Sequence, residues 1–358
     1  MRVVILGLSV TSSWGNGHAT NYRGLMRSLT ERGHDVLFLE RDVPWYAENR
    51  DLPRPPHGRT ELYGSSQELR DGYVDAVRTA DLVVVGSYVP DGVAVGQWVI
   101  ATARAVTAFY DIDTPVTLAA LAAGRCEYLS PELVSAYDLY LSFTAGPTLT
   151  LLEQRYGARA PRAFYCMVDP DNYRPSHVPL RWDLGYLGTY SDDRQPILDE
   201  LLVEPARRRP DMRFVVTGPQ YPHSIVWPDN VERIEHLPPR EHAAFYAAQR
   251  MTLNVTRVEM KRAGWSPSVR LFEAAACAVP VISDRWNGLD EIFHPGPEIA
   301  IADSADDVLD ALHAMTDDRR RAVGAAARAR VLSEHTAQRR AQTLEEFVRQ
   351  TEATREAQ

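Results

Sequence analysis

A glycine-rich stretch follows the first apolar run of the chain and carries a histidine. Gly15 and Gly17 lie in "SSWGNGHATNYRGL", before a helical pattern that begins near His18. Glycine permits positive φ and close approach of a ligand, and a helix that begins here directs free N–H groups toward an anion. Two interpretations stay open: a ligand loop, or a turn in which His18 caps or packs. The stretch lacks the G-x-G-x-x-G of a dinucleotide site, for which Glu40 alone is weak support.

A second polar pattern lies on a predicted helix within "AGWSPSVRLFEAAAC". Ser266 before a proline predicts a capped helix start, and the helix is expected to end at about Cys277. At 3.6 residues per turn, Arg270 and Glu273 share a stripe with Ser266. Ser268 and Arg270 in the first turn suit a phosphate, and Glu273, about 10 Å along the axis, suits ribose hydroxyls. The alternative is an exposed Arg270–Glu273 ion pair worth a few tenths of a kcal/mol.

Both halves of the chain repeat one rhythm of elements. Val, Leu and Ile runs such as "DLVVVGS" alternate with helical patterns, which is typical of parallel strands covered by helices on both faces. The predicted strands are Arg2–Leu8, Asp35–Glu40, Asp81–Ser87, Val106–Ile112, Asp138–Phe143, Ala163–Met167, Asp183–Gly188, Arg213–Gly218, Arg233–Leu237, Thr252–Val255, Pro280–Asp284 and Glu298–Ala302. The sequence therefore predicts an α/β fold of two Rossmann-like, doubly wound parallel-sheet domains that face each other across a cleft.

The boundaries of these domains follow from composition. We predict a first domain over residues 1–170 and a Pro- and Asp-rich linker over residues 171–183. A second domain is expected over residues 184–335, followed by a C-terminal helix over residues 336–358 that packs back on the first domain or stays solvated. The polar segment Arg59–Gly72 is interpreted as a surface excursion.

The totals exclude several classes of protein. A net charge of −9 argues against broad binding of nucleic acid, so an anionic ligand needs a local basic pocket. Cys126, Cys166 and Cys277 lack zinc-ligand spacing and are interpreted as buried thiols. No apolar run approaches the ~18 residues of a membrane span, and the first residues lack a cleavage-type site. We therefore predict a cytoplasmic protein without a metal centre or a transmembrane segment.

The motifs quoted above resemble those of GT-B glycosyltransferases, and more narrowly those of the CgeB-like (spore maturation protein CgeB) family, over nearly the whole chain. The stretch "CMVDPDNYRP" is similar to the interdomain signature of retaining GT-B enzymes. The stretch "FEAAACAVPVISDRWNGLDEIF" resembles their donor-site block, with Glu273 as the ribose-binding glutamate. The resemblance implies that the second domain binds a nucleotide sugar and that the first domain is the acceptor side.

The same resemblance assigns further residues. In "GYLGTYSDDRQP", Arg194 takes the place of a diphosphate-binding lysine, and Thr189 stands where relatives carry an arginine. Trp265 stands where many retaining relatives have a glutamate. The candidates for the missing positive charge are Arg257, Lys261 and Arg270. The loop with Gly15, Gly17 and His18 is similar to the acceptor-side glycine loop and is expected near the transferred sugar.

One acidic pair allows a different chemistry. Asp111 and Asp113 in "FYDIDTPVT" imitate the D-x-D by which GT-A transferases hold a divalent cation. We favour a metal-free role, because GT-B enzymes neutralise the diphosphate with a helix N-terminus and cationic side chains. Asp113 then orients the acceptor or the donor sugar, although a capping role is an equal alternative.

The combined prediction is a glycosyltransferase of the hexosyltransferase type, metal-independent and retaining. Its co-substrate is a nucleotide sugar, UDP-linked, and its acceptor is a small molecule, a glycan or a protein. Under retention the leaving phosphate takes the acceptor proton and His18 contacts the sugar; under inversion His18 or Asp113 is the base. The alternatives are a nucleotide-sugar 2-epimerase of the same fold and a catalytically inactive nucleotide-sugar-binding module, which the missing glutamate at Trp265 alone supports.

Overall fold

The computed structural model describes residues 1–357 and contains two α/β units. Unit 1 comprises residues 1–167 together with residues 337–357, and unit 2 comprises residues 168–336. The chain therefore leaves unit 1 after Met167 and returns to it at Ala337.

Unit 1 is built on a seven-stranded sheet in which every strand pair is parallel. Its strands are β1 (Arg2–Gly7), β2 (Asp35–Arg41), β3 (Arg59–Tyr63), β4 (Leu82–Gly86), β5 (Val106–Asp111), β6 (Leu139–Ser142) and β7 (Pro161–Ala163). The order β3-β2-β1-β4-β5-β6-β7 reverses direction beside β1, so the loops after β1 and β4 lie at a topological switch point. The helices between these strands are α1 (His18–Glu31), α2 (Pro44–Ala47), α3 (Ser66–Thr79), α4 (Gly92–Thr102), α5 (Thr114–Ala122), α6 (Pro131–Ala136) and α7 (Pro147–Tyr156).

Unit 2 is built on a six-stranded parallel sheet of order β10-β9-β8-β11-β12-β13. Its strands are β8 (Trp182–Leu187), β9 (Phe214–Thr217), β10 (Val231–Ile234), β11 (Gln249–Asn254), β12 (Val281–Ser283) and β13 (Ala300–Ile301). Its helices are α8 (Gln195–Leu198), α9 (Glu204–Arg208), α10 (Pro239–Ala247), α11 (Val258–Ala263), α12 (Val269–Ala276), α13 (Leu289–Ile292), α14 (Ala305–Ala314) and α15 (Asp317–Glu334). A π-helical turn, Asp199–Val203, joins α8 to α9.

The last helix, α16 (Ala337–Glu356), belongs to unit 1 and packs against α1. It buries Leu344 and Val348, and Glu345 on the same helix accepts hydrogen bonds from Arg32 at 2.6 and 2.7 Å. Within residues 1–357, no helix combines the length and the apolar character that crossing a lipid bilayer requires.

Three local predictions differ from the structure. Strand β3 lies inside the segment that was predicted to be a surface excursion. The sequence does not reveal it because an edge strand buries few side chains, and only Tyr63 of "RTELY" is fully buried. The last strand of unit 1 ends at Ala163 rather than beginning there, since the apolar residues beyond it are buried without joining the sheet. Strand β8 begins at Trp182, inside the segment expected as a linker.

Candidate functional site

The candidate nucleotide site of unit 2 lies at one edge of its sheet. Because the strands are parallel, the carboxyl ends of β8, β11 and β12 meet at that edge, which is where ligands bind in open α/β sheets. Asn254 ends β11 and lies opposite Ser283, the last residue of β12. Asn254 Nδ2 donates a hydrogen bond to Ser283 Oγ at 2.9 Å. The two strand ends are thus joined by side chains.

Arg270 lies at this edge and is buried, with 7% of its surface exposed. Its Nε donates to the carbonyl of Leu187 at 2.5 Å, and its Nη1 donates to Asn254 Oδ1 at 2.8 Å. The guanidinium lies 4.7 Å from the ring centroid of Tyr186. A Cβ on Gly188 would lie 2.8 Å from Arg270 Nη2, so the missing side chain leaves room for the guanidinium. The helix, two strand ends and the loop after β8 therefore fix this cation.

The start of α12 differs from the sequence prediction. Ser266 does not cap the helix; its hydroxyl donates to the carbonyl of Gly264 at 2.7 Å. The helix begins at Val269, because Ser268 keeps an extended backbone with ψ of 150°. The hydroxyl of Ser268 donates to Asn254 Oδ1 at 2.7 Å instead of capping. Ser268 thus lies at the strand edge with Arg270, whereas Ser266 belongs to the preceding turn.

Glu273 is buried one turn beyond Arg270, with 4% of its surface exposed. Its Oε2 accepts a hydrogen bond from the Tyr246 hydroxyl at 3.0 Å and lies 4.0 Å from His242 Nδ1. Burial, with the charge of Glu273, raises the pKa of Tyr246 well above its usual range, so the phenol remains a donor. Since Arg270 and Glu273 are both buried and have other partners, the expected alternative of an exposed Arg270–Glu273 pair is wrong.

The loop after β8 holds the other two residues singled out from the sequence. Arg194 Nε donates to Ser191 Oγ at 3.2 Å, and Arg194 Nη1 lies 3.4 Å from the hydroxyl of Tyr186. Thr189 lies beside Gly218, whose φ of 145° and missing side chain allow the loop after β9 to pack against this backbone. Arg194, Arg270 and Tyr186 therefore form a cationic group at the end of β8.

A pocket of about 430 Å³ opens beside the turn that precedes α12. It is lined by Trp265, Trp286 and the turn Asn287–Glu291, among other residues. Trp265 has a φ of 43°, a left-handed conformation that is rare for a large side chain. Its backbone N–H donates to the carbonyl of Asn287 at 2.6 Å, and its ring packs over Gly288. Backbone strain of this kind is found most often at functional sites.

Unit 1 carries the candidate catalytic pair. His18 is the first residue of α1 and is 8% exposed, and its Nε2 lies 3.5 Å from Oδ2 of Asp113, the residue before α5. Its Nδ1 is buried and has no hydrogen-bond partner within residues 1–357. The ring of Tyr88 lies 5.5 Å from the imidazole ring. The structure thus brings together the two residues that the sequence placed on separate elements.

The glycine loop before His18 is held by a residue whose role sequence reasoning missed. Glu40, at the end of β2, is fully buried and accepts hydrogen bonds from the N–H groups of Val10 and Thr11 at 2.7 and 3.0 Å. It also accepts from the hydroxyls of Ser9 and Thr11. The signal that could have identified it was an acidic residue at the end of a buried strand next to β1.

The two glycines of this loop have different roles. Gly15 has a φ of 58°, whereas Gly17 has an ordinary φ of −66° and needs no special backbone. An added Cβ would meet nothing within 4 Å at either position. Both glycines therefore border open space beside His18.

The acidic pair Asp111 and Asp113 does not form a shared ligand set. Asp111 is fully buried and accepts hydrogen bonds from Tyr140 at 2.6 Å and from Thr117 at 2.7 Å. Burial raises its pKa to about 6, although these hydrogen bonds oppose the shift. Of the part of the chain that the structure describes, no group of three or more His, Cys, Asp or Glu side chains could hold a metal ion.

Comparisons with known proteins agree with this architecture. A family model described as "Glycosyl transferase-like" matches residues 194–346. Sucrose-phosphate synthase from Thermosynechococcus elongatus matches with 16% identity and a TM-score of 0.72, over 99% of this chain and 100% of that one. Anabaena HepE, solved with UDP and glucose, matches with 13% identity and a TM-score of 0.71, over 97% and 99%. No curated protein sequence matches the chain.

A third match is the catalytic domain of starch synthase IV from Arabidopsis thaliana, bound to ADP and acarbose. It has 11% identity and a TM-score of 0.65, over 98% of this chain and 99% of that one. At these identities the likeness shows the fold. The chain has a GT-B fold with two parallel-sheet α/β units, which confirms the predicted fold class.

Proposed function

We propose that this protein is a glycosyltransferase that uses a nucleotide-activated sugar donor, with the nucleotide bound by unit 2. The observation that carries the proposal is the buried Arg270–Glu273 stripe at the carboxyl edge of the unit 2 sheet, within a GT-B fold. The family model that matches residues 194–346 includes both Arg270 and Glu273 and supports the same proposal.

The chemistry of the edge suits a nucleoside diphosphate. Glu273 accepts one hydrogen bond from Tyr246, and its remaining lone pairs can accept from the two ribose hydroxyls. Arg194 and Arg270 add two positive charges beside the end of β8. HepE, solved with UDP, supports UDP as the nucleotide. We therefore propose a UDP-linked donor that serves as co-substrate.

We propose a retaining, metal-independent reaction. The bond from the anomeric carbon to the diphosphate breaks and a bond to the acceptor oxygen forms, while the leaving phosphate oxygen takes the acceptor proton. The cationic groups of unit 2 stabilise the charge that develops on the leaving diphosphate. His18, whose Nε2 lies 3.5 Å from Asp113, then contacts the sugar and does not take the acceptor proton. Under inversion the same pair would supply the base.

The proposal also covers the transferred sugar, the family, the cellular location and the acceptor. We propose a transferred hexose, a place in the CgeB-like family and a cytoplasmic location, with a small molecule, a glycan or a protein as acceptor rather than a nucleic acid. The net charge of −9 supports the exclusion of nucleic acid.

The test has two parts. A thermal-shift screen of the full chain against UDP, ADP, GDP and their sugars identifies the nucleotide, because a ligand of the native state raises the melting temperature. Turnover of the stabilising nucleotide sugar with and without acceptors then separates the possibilities. Donor epimerised without an acceptor selects the 2-epimerase, and binding without turnover selects an inactive module. A transferred sugar on an acceptor supports the proposal, whereas no stabilisation by any nucleotide overturns it.

A further inference from the structure

The sequence contains a single lysine. Lys261 is the only lysine among the 39 Lys and Arg residues of the chain, so arginine supplies every other permanent side-chain cation. Lysine and arginine are not equivalent: the ammonium is a compact point charge with three donors, whereas the guanidinium is a planar fork. Lys261 is therefore the one side chain that offers a primary amine in place of a guanidinium.

Lys261 lies on α11, at the same edge of unit 2 as the candidate nucleotide site. Its Nζ is 3.5 Å from Oδ2 of Asp284, the residue directly after β12, and its side chain is 41% exposed. Asp284 is almost fully buried, at 1% exposure. Oδ2 accepts no hydrogen bond from any group within residues 1–357, so the amine is the cation that it faces. A buried carboxylate thus holds a partly exposed ammonium.

A chain of hydrogen bonds joins this ion pair to Arg270. Asp284 Oδ1 accepts from the N–H and the hydroxyl of Thr256 at 3.1 and 2.7 Å. The Thr256 hydroxyl also lies 3.3 Å from Asn254 Nδ2, and Asn254 Oδ1 accepts from Arg270. Every member lies in unit 2, where β11 and β12 end. Lys261 is therefore linked to the strand edge by side chains and does not stand alone on the surface.

The loop after β8 is fastened to the same helix. Asp193 Oδ2 accepts from the N–H of Val258, the first residue of α11, at 3.1 Å, and lies 3.5 Å from Arg257 Nε. Arg257 is thus paired with Asp193, and Arg270 donates to Leu187 and Asn254. Lys261, the third cation considered for the charge missing at Thr189, has Asp284 as its ion-pair partner, and Asp284 is joined to Arg270 by the hydrogen bonds described above.

We propose that Lys261, positioned by Asp284, binds the diphosphate of the sugar nucleotide. The inference rests on the proposed function and adds to it the residue that replaces the missing arginine. Asp284 is a positioning residue: its charge holds the ammonium at 3.5 Å and leaves N–H groups of the ammonium for phosphate oxygens. Since a charged hydrogen bond is worth about one to two decades of affinity, its loss is measurable.

The test measures UDP binding by calorimetry for wild type, Lys261→Gln, Lys261→Arg and the control Arg262→Gln. The control removes a positive charge from the neighbouring, exposed position of the same helix. We expect Lys261→Gln to weaken UDP about 10- to 100-fold, Lys261→Arg to recover most of the loss, and Arg262→Gln to bind like wild type. Equal UDP affinity of Lys261→Gln and wild type overturns the proposal.

The single lysine also permits a direct probe. Protein grown on ¹³C-lysine gives one set of Cε–Hε signals, from Lys261 alone. UDP and inorganic pyrophosphate should both shift this signal, and uridine should not. If UDP fails to bind but pyrophosphate shifts the signal, the proposed function falls and the anion site stands. If UDP binds and the signal stays in place, the function stands and the role of Lys261 falls; if neither ligand binds, both fall.

The role of Asp284 is tested by a double-mutant cycle. Asp284→Asn keeps the shape and the acceptor for Thr256 but removes the ion pair. We expect it to weaken UDP in the wild-type background and to add nothing in the Lys261→Gln background, because the pair acts as one unit. Additive losses would show that Asp284 supports the fold independently of the amine.

Discussion

At the residue scale, the role of Glu273 can be separated from its structural contacts. Glu273→Ala should weaken UDP binding by about 1–3 kcal/mol, the cost of losing hydrogen bonds to a charged group. Calorimetry gives the affinity. Tyr246→Phe is the matched control, because it removes the hydrogen bond between Tyr246 and Glu273 and keeps the carboxylate. If Tyr246→Phe loses as much affinity as Glu273→Ala, the loss comes from the broken Tyr246–Glu273 hydrogen bond and the ribose assignment is wrong.

His18 decides between the two stereochemical courses. Because we propose retention, His18→Ala should lower kcat by less than the roughly 10²–10⁴-fold that removal of a general base costs. Asp113→Asn should give a loss of similar size, since Asp113 acts through His18 at 3.5 Å. Steady-state kinetics with the identified donor provide the measurement. A larger loss, with the anomeric configuration of the product inverted, would make His18 the base.

Some positions in the site follow from local sequence, whereas others depend on contacts between residues that are far apart in the chain. Arg270 and Glu273 follow from the 3.6-residue period of one helix, so the sequence predicts that they share a face. The prediction that Ser266 caps α12 was wrong. The turn before the helix depends on Trp265, whose left-handed backbone is held by a hydrogen bond to Asn287, a residue distant in sequence. Such a tertiary contact leaves no local pattern.

At the scale of elements, Asp111 at the end of β5 makes the stability of unit 1 depend on pH between about 4 and 6. Burial raises the pKa of Asp111 from 3.8 to about 6, so the folded protein binds more protons than the unfolded chain between those values. Stability therefore falls as pH rises from about 4 to about 6, by an amount on the order of 3 kcal/mol, and is constant above that. The folded state of unit 1 is therefore most stable when the Asp111 carboxyl group is protonated and neutral.

Asp111→Asn should remove this dependence. The asparagine amide can donate a hydrogen bond to the Thr117 hydroxyl. That hydroxyl can then donate to the Tyr128 hydroxyl, which lies 2.9 Å away. Urea unfolding between pH 4.5 and 7.5 compares wild type with Asp111→Asn and with Asp71→Asn, an exposed control on α3. Parallel curves for wild type and Asp111→Asn would contradict the shifted pKa.

The elements themselves were predicted best where burial was most complete. Strands such as β4, "LVVVG", are buried throughout, and a continuous apolar run identifies them. The edge strand β3 was missed because only its last residue is fully buried, and its polar composition is also typical of a loop. The connection of the β1 loop to Glu40 could not be predicted, since it depends on β2 lying beside β1.

At the scale of the whole molecule, the proposed chemistry requires no metal. Transfer should persist after exhaustive dialysis against EDTA, because the diphosphate is neutralised by cationic side chains and both oxygens of Asp111 already accept protein hydrogen bonds. The assay is transfer before and after chelation, with Mg²⁺ or Mn²⁺ restored. Loss of transfer that either ion rescues would replace the metal-independent mechanism.

The return of the chain to unit 1 gives α16 a measurable role in acid stability. Glu345 accepts hydrogen bonds from Arg32, and His34 Nε2 lies 2.7 Å from its Oε1. The hydrogen bonds from Arg32 are the main cause that lowers the pKa of Glu345 from 4.5 to about 2. A lowered carboxyl pKa stabilises the fold above the unfolded value, and this stability is lost as pH falls from about 4.5 toward 2.

Glu345→Gln should therefore flatten the acid limb of the stability of unit 1, whereas Glu346→Gln, at the exposed neighbouring position, should leave it unchanged. Hydrogen exchange of α1 and α16 peptides, compared between variants at the same pH from 4 to 3, below the range in which Asp111 titrates, reports this unit separately from unit 2. Wild type should lose protection in both helices as pH falls, and Glu345→Gln should begin less protected and change less. Equal slopes for Glu345→Gln and wild type would show that the ion pair of Glu345 does not contribute to the acid stability of unit 1.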